Sequence, residues 1–195
     1  MHFLRNKLAL AALFLTLGLG AMQQELNTQQ ANEFLLYSVK NGGHENLKLA
    51  IQLGGKPSEI VDQNGDHVIT IAMMNAPDLL ASLLIEDLLK HGAPRTGALN
   101  LAVQKGLVRT VNVLLEAGEK VDQRDELLKL TPVQLACFLG DYDMAKTLLL
   151  HNADRKPTGP SLWALAKKSN PSIIEYLLDR SNKQIEEADK KCEDY

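Results

Sequence analysis

Residues 130–154 read LTPVQLACFLGDYDMAKTLLLHNAD. A small residue, Ala136, stands four positions before Gly140, and Asn152 follows Gly140 by twelve. Between these turn-forming residues lies the pair Leu148-Leu149, which would bury one face of a helix. Gly accepts the left-handed conformation that ends a helix, and Asn is the next best residue for it. The block therefore predicts two short helices that are joined, and then followed, by tight turns.

The block recurs five times, with steps of 33, 30, 34 and 30 residues between its small residues. In the second copy Ala76 and Gly92 are sixteen rather than twelve positions apart, which predicts a longer second helix from Asp78 to Lys90. Helices this short must stack to be stable. The small residues are Val39, Ala72, Ala102, Ala136 and Ala166, and the turn residues expected to be left-handed include Gly43, Gly55, Gly118, Asn152 and Asn182.

This pattern resembles the ankyrin repeat. The resemblance covers about residues 34–182; it is most specific in the fourth copy, which begins with Thr131-Pro132 and Thr131 as N-cap, and weakest in the first and fifth. It implies an all-α solenoid of about five helix-turn-helix repeats with short β-hairpin fingers. Residues 61–66 and 121–126 look like two such fingers, and Asn64-Gly65 is a strong tight-turn signal.

The ends of the chain differ in composition from the repeats. Residues 1–22 combine Arg5 and Lys7 with an apolar run and the small residues of 18–21, which is typical of a bacterial-type signal peptide. The alternative, a membrane anchor, needs about 20 apolar residues and is less favoured. Residues 23–33 are interpreted as a polar linker or capping segment, or as a helix running into the repeats, and 183–195 as a charged tail or capping helix. The expected location is periplasmic or secreted, without membrane insertion after cleavage.

Composition argues against several classes of partner. A formal charge of −3 gives no global attraction to nucleic acid or to anionic lipid. The chain has two cysteines, Cys137 and Cys192, too few for a disulfide scaffold. Cys137 is expected to be a buried core thiol, although a bond between the two, or to another chain, stays open. We expect a monomer that binds a protein and needs no cofactor.

The sequence offers no motif for catalysis or for a metal. His44, His67, His91 and His151 have no ligand or base at useful spacing, and the equivalent places of His91 and His151 suit the ends of helices. Residues 62–66 resemble a calcium loop only superficially, because the glycine falls at the wrong position. The chain is therefore predicted not to be an enzyme, with a site assembled from scattered residues as the remaining alternative.

The resemblance implies that a partner binds to the fingers and to the exposed side of the first helices. Met74, Phe138 and Leu139 depart from the polar residues that the family usually places there, so they predict an apolar binding patch. The alternative is that Phe138 and Leu139 turn inward. Trp163 is expected to be buried, since it occupies a core position of the family. The predicted partner-binding residues are Asn64, Asp66, Met74, Asn75, Gln104, Lys105, Arg124, Asp125, Glu126, Phe138, Leu139 and Tyr142.

The function predicted from these features is that of a periplasmic or secreted binder that grips, protects or inhibits a partner protein. The chief alternative is a secreted effector that acts on a host protein. An enzyme that uses the same groove, and self-association through Met74 and Phe138, are further alternatives. The sequence does not distinguish the periplasm from the outside of the cell, and it does not identify the partner.

Overall fold

The computed structural model describes residues 28–95 and 97–177. The predicted signal peptide, the charged tail, Asn182 and Cys192 lie outside the described residues. The chain divides into two compact units, residues 1–94 and 95–195, called the N-unit and the C-unit below. No helix of the described part is long and apolar enough to span a bilayer.

The N-unit contains two pairs of helices. They are α1 (Thr28–Lys40) with α2 (His44–Gln52), and α3 (Val68–Asn75) with α4 (Asp78–Lys90), and a single 3₁₀ turn (Pro57–Glu59) lies between the pairs. The longer helix that the spacing predicted, α4, has the expected bounds, Asp78–Lys90. The imidazole of His44 and the carboxylate of Asp87 join α2 to α4, with 2.8 Å between Nε2 and Oδ2.

The C-unit continues the same design. Its helices are α5 (Ala98–Gln104), α6 (Val108–Glu116), α7 (Pro132–Leu139), α8 (Tyr142–Leu150) and α9 (Leu162–Ser169), and residues 172–177 are helical as well. The prediction of an all-α fold of paired helices is confirmed. The small residue of each first helix is fully buried, which lets neighbouring helices approach closely: Val39, Ala72, Ala102, Ala136 and Ala166.

The start of α7 is fixed by a capping box. The Thr131 hydroxyl accepts a hydrogen bond from the Gln134 amide (3.4 Å), and the Gln134 side chain accepts one from the Thr131 amide (2.9 Å). Two otherwise orphaned donors of the helix are thereby satisfied, as the sequence predicted for Thr131. The helix ends at Gly140, whose φ of 76° is left-handed.

The turns after the second helices agree with the prediction in the second, third and fourth repeats, whereas Asn170, at the end of α9, is extended with φ −146°. Asn152 adopts φ 63°, and Gly118 and Gly92 are also left-handed, as expected. In the first repeat the left-handed residues are Gly42 and Gly54, one position before the predicted Gly43 and Gly55. Gly55 has a different reason to be Gly, since a Cβ there would lie 2.8 Å from the Ala50 carbonyl oxygen.

The predicted β-hairpin fingers are reduced to turns, and the described residues contain no β-strand. Residues 61–67 close with one isolated antiparallel bridge, between Val61 and His67. The segment around 121–130 lacks even a bridge. There the Asp125 carboxylate accepts hydrogen bonds from the Leu127 amide (2.9 Å) and the Leu128 amide (2.6 Å). The Asp125 amide also donates to the Leu130 carbonyl at 2.9 Å, so the segment closes as a tight turn without paired strands.

Candidate protein-binding surface

The exposed ends of the first helices in the C-unit form the candidate surface. Helices α5 and α9 both pack against α7, so the three ends lie side by side. At these ends the side chains of the last turn and of the following position reach solvent. We call the following residues the helix-end surface: Gln104, Lys105, Phe138, Leu139 and Lys168.

Side-chain hydrogen bonds hold the end of α9 to the end of α7. The Ser169 hydroxyl donates to the Cys137 carbonyl, and the Asn170 amide nitrogen donates to the Gly140 carbonyl at 3.0 Å. A Cβ on Gly140 would lie 3.2 Å from the Ser169 Cβ, so this approach depends on glycine. Lys168 directly precedes Ser169 in the chain, and Phe138 directly follows Cys137. The bonds therefore place Lys168 and Phe138 at neighbouring positions of the surface.

Phe138 and Leu139 are the apolar centre of this surface. Every residue of α7 from Pro132 to Cys137 is buried, as expected for a helix between two neighbours. Only the last turn emerges, and it leaves 56% of Phe138 and 50% of Leu139 exposed. Of the two alternatives that the sequence left open, the structure has both side chains facing solvent, and not the core.

Tyr142 lies beside this centre but is committed to packing within the unit. It is half-buried, and its ring meets the Tyr176 ring edge-on, with 5.9 Å between centroids and 77° between planes. Lys146 Nζ lies 5.9 Å from the centre of the Tyr176 ring. The Tyr142 ring is therefore engaged within the C-unit.

The finger residues Arg124 and Asp125 serve the structure of the C-unit. The Arg124 guanidinium donates to the Lys129 carbonyl (2.5 Å) and to both the carbonyl and the hydroxyl of Thr158 (2.7 and 2.6 Å). The Asp125 carboxylate accepts from two amides of its own loop. Of the three predicted residues in this finger, only Glu126 is an exposed side chain without such a bond in the described part of the chain.

The same finger presents two apolar residues that the sequence reasoning missed. Leu127 is 89% exposed and Leu128 is 52% exposed, in a turn that Arg124 and Asp125 hold in place. The signal was available, since two adjacent leucines interrupt an otherwise charged loop. These leucines extend the apolar surface of the C-unit beyond the predicted patch.

The predicted residues of the N-unit lie at two places. Met74 and Asn75 end α3, where Met74 is 57% exposed and the Asn75 side chain donates back to the Ile71 carbonyl at 2.7 Å. Asn64 and Asp66 belong to the finger turn, and both of their amides donate to the Asp62 carboxylate. Those hydrogen bonds, first that from Asp66, lower the pKa of Asp62 against a smaller opposing effect of burial.

Trp163 corrects the sequence-based expectation, because it is 49% exposed and not buried. It occupies the same register position in α9 as Val133 does in α7, and Val133 is fully buried. Helix α9 covers one side of α7, whereas no further first helix follows α9 within the described residues. Val133 thus lies in a helix with two such neighbours, α5 and α9, whereas Trp163 lies in a helix with one, α7, among the described residues.

Burial raises the pKa of two titratable side chains of the C-unit, Cys137 and Glu119. Burial raises the pKa of the Cys137 thiol to about 12, so the thiol is protonated and unreactive at neutral pH. Burial also raises the pKa of Glu119, opposed by the charge of Arg95. Residues 28–95 and 97–177 contain no group of three or more His, Cys, Asp or Glu side chains that could hold a metal ion.

Comparison with known families agrees with this geometry. Residues 99–191 match the family model for ankyrin repeats, in three copies. No curated protein matches the chain. The match supports placing the chain among ankyrin-repeat proteins, and it begins in α5, so the helix pairs of the N-unit lie outside it. The fold is an all-α ankyrin-repeat fold, as predicted. Ankyrin repeats are protein–protein interaction modules, and proteins built from them are generally not enzymes.

Proposed function

We propose that this chain is a secreted, periplasmic ankyrin-repeat binder that grips, protects or inhibits a partner protein through the helix-end surface. The observation that carries the proposal is the exposure of more than half of Phe138 and half of Leu139 at the end of a helix that is otherwise buried. Large side chains held rigidly at a surface lose little conformational freedom on binding, which makes them effective anchors.

The surroundings of the two residues support the same use. The preceding turn of α7 is fully packed, and hydrogen bonds from Ser169 and Asn170 fix its end. A partner would therefore meet a preformed surface and would bind largely as a rigid body. Truncation of a buried aromatic anchor in such an interface costs about 2 kcal/mol or more, which is roughly thirtyfold in affinity.

The test compares two substitutions of the same chemistry. The complete chain, Phe138→Asp and Leu150→Asp are each used to capture proteins from the periplasm of the native host, and a captured protein is then titrated against all three. Leu150 is 49% exposed at the end of α8, a second helix, so it is a matched control. We expect Phe138→Asp to abolish capture and Leu150→Asp to retain it.

Two results would contradict this proposal. Loss of binding in both folded variants would show a general effect of the added charge, and retention in both would remove Phe138 from the interface. Circular dichroism of each variant must first show the helical content of the wild-type chain. Because both side chains are half exposed, we expect both variants to fold.

The proposed location rests on the sequence of residues 1–22. Intact-mass measurement on the chain from periplasm, cytoplasm and culture medium tests it. We expect the periplasmic form to have lost the segment that ends near Ala21. An intact N-terminus in the cytoplasm would contradict secretion, and recovery of the processed chain mainly in the medium would favour an exported effector over a periplasmic binder.

A further inference from the structure

Lysines flank the apolar centre of the helix-end surface on both sides. Lys105 follows α5, while Lys167 and Lys168 lie in the last turn of α9, and all three side chains are exposed. None of them forms an ion pair with a residue in the described part of the chain. The pattern across the three helix ends is thus lysine, apolar pair, lysine.

The contacts of the backbone fix this order in space. The bond of Ser169 to Cys137 sets Lys168 on one side of Phe138. On the other side, a Cβ at Gly106 would lie 3.7 Å from Asp141 Oδ2, so the end of α5 adjoins the residues after Leu139. Packed helices lie about 8–10 Å apart, so the three ends span roughly 20 Å, the length of about six extended residues.

Two acidic residues, Asp141 and Asp143, follow Leu139 in the chain, against the four lysines Lys105, Lys146, Lys167 and Lys168. Asp141 is the N-cap of α8, and its Oδ1 accepts from the Met144 amide at 3.0 Å, where the positive end of the helix dipole meets it. Asp143 is exposed in the first turn of α8. Lys146 adds a further positive charge next to Tyr176.

We propose that the helix-end surface selects a short acidic segment of the partner protein, one that carries a large apolar side chain between carboxylates. This inference rests on the proposed function and names the chemistry of its partner. The apolar side chain would pack on Phe138 and Leu139, and the carboxylates would pair with Lys105 and Lys168. Rim charges of this kind steer association and reject partners of like charge more than they add affinity.

An acidic protein segment fits better than a nucleic acid or an anionic membrane. Phosphate recognition favours the planar fork of arginine, and the helix-end surface contains lysines but no arginine. Non-specific binding of nucleic acid also uses a longer basic track and, for single strands, stacking platforms. Here the charges are few, and they surround a compact apolar centre.

The experiment titrates the complete chain with three short synthetic peptides, by fluorescence anisotropy. The first has Asp and Glu around a central Phe-Leu pair, the second has Lys in place of every acid, and the third has Ser in place of the apolar pair. We expect the first to bind most tightly, by roughly fivefold or more over each of the others, with an advantage that falls as salt rises.

A charge reversal then assigns the preference to this surface. In Lys105→Glu/Lys168→Glu the order of the acidic and basic peptides should invert. The control Lys120→Glu/Lys156→Glu changes the net charge equally, at exposed lysines in turns, and should keep the wild-type order. All four lysines are exposed, so both double variants are expected to fold, which circular dichroism checks.

Equal binding of the acidic and basic peptides, or inversion in both double variants, would overturn the inference. Tighter binding of an oligonucleotide or of phosphatidylserine vesicles, with the same dependence on Lys105 and Lys168, would overturn it as well. These outcomes leave the proposed function testable by itself, because capture that depends on Phe138 and not on Leu150 would stand even if the partner segment proved not to be acidic.

Discussion

The two units share one repeat design, but the described part of the N-unit is acidic and that of the C-unit is slightly basic. Residues 28–94 contain eight acidic side chains and four lysines, a formal charge of −4, whereas residues 95–177 contain 11 Lys and Arg and nine Asp and Glu, a formal charge of +2. In the N-unit Lys48, Lys56 and Lys90 each lie within 3.3 Å of a carboxylate. In the C-unit the lysines of the helix-end surface have no such partner in the described chain.

The paired lysines of the N-unit lie in second helices or a loop, whereas Lys105 and Lys168 lie at the ends of first helices and have no ion-pair partner among the described residues. The hydrogen bond with Lys56 lowers the pKa of Glu59, and that with Glu86 raises the pKa of Lys90, so each pair already favours its charged form. Exposed pairs of this kind add little to stability, but a partner would have to disrupt them. The register position that holds Met74 in the N-unit holds Phe138 in the C-unit, where Lys105 and Lys168 have no ion-pair partner among residues 28–95 and 97–177.

We expect the two units to differ most in stability at the register position of Gln134, whose side chain anchors α7. Gln134 is fully buried, accepts from the Thr131 amide and donates to the Pro160 carbonyl at 2.7 Å. Gln134→Ala leaves those groups unpaired, and we expect the free energy of unfolding to fall by about 2–4 kcal/mol. Urea denaturation followed by circular dichroism measures it.

The matched change in the N-unit is Thr70→Ala, at the same register position in α3. The Thr70 side chain makes no hydrogen bond to any described residue and is half-buried, so the expected loss is below about 1 kcal/mol. If Thr70→Ala destabilised the chain as much as Gln134→Ala, the anchoring assigned to the Gln134 amide would be wrong.

A smaller effect is expected in the C-unit finger. Asp125→Ala removes the acceptor for the Leu127 and Leu128 amides, so both amides should exchange faster with deuterium, at a cost of about 1 kcal/mol in stability. Hydrogen exchange followed by mass spectrometry reports on this turn. Glu126→Ala, which changes the exposed neighbour, should leave the exchange as it is, and an equal acceleration would refute the role of Asp125.

The smallest effect concerns Asp62 in the N-unit finger. Hydrogen bonds from the Asp66 and Asn64 amides place its folded pKa below the usual 3.8. The stabilising effect of the carboxylate is therefore complete above pH 3.8 and is lost as the pH falls through the lower folded value. NMR titration should give a pKa below 3.8, and Asp62→Asn should flatten this part of the pH dependence of stability. A pKa at or above 3.8 would contradict the assigned hydrogen bonds.

The repeat architecture was predictable because its signals are local. The spacing of the small residues predicted positions that are fully buried in the structure. The longer spacing in the second repeat predicted α4, and Thr131 was predicted as the N-cap of α7. Each of these depends on residues within one repeat, where helix geometry relates spacing directly to a face or an end.

The details of the binding surface depend on contacts between distant residues, and the sequence could not supply them. Arg124 was expected at a finger tip, but its guanidinium bonds to Thr158, 34 residues away. Trp163 was expected in the core, but it is half exposed in a helix that packs against one other first helix, α7, among the described residues. The sequence left open whether Phe138 faces solvent or the core, because a packed last turn and an exposed last turn have the same sequence pattern.

The central claim is that the helix ends of the C-unit are the surface that grips the partner. Hydrogen exchange of the complete chain, with and without the captured partner, tests it most directly. We expect partner binding to protect the amides in residues 104–106, 138–140 and 168–170 and to leave exchange in α6 and α8 unchanged. Protection confined to α6 and α8, or to the N-unit, would contradict it.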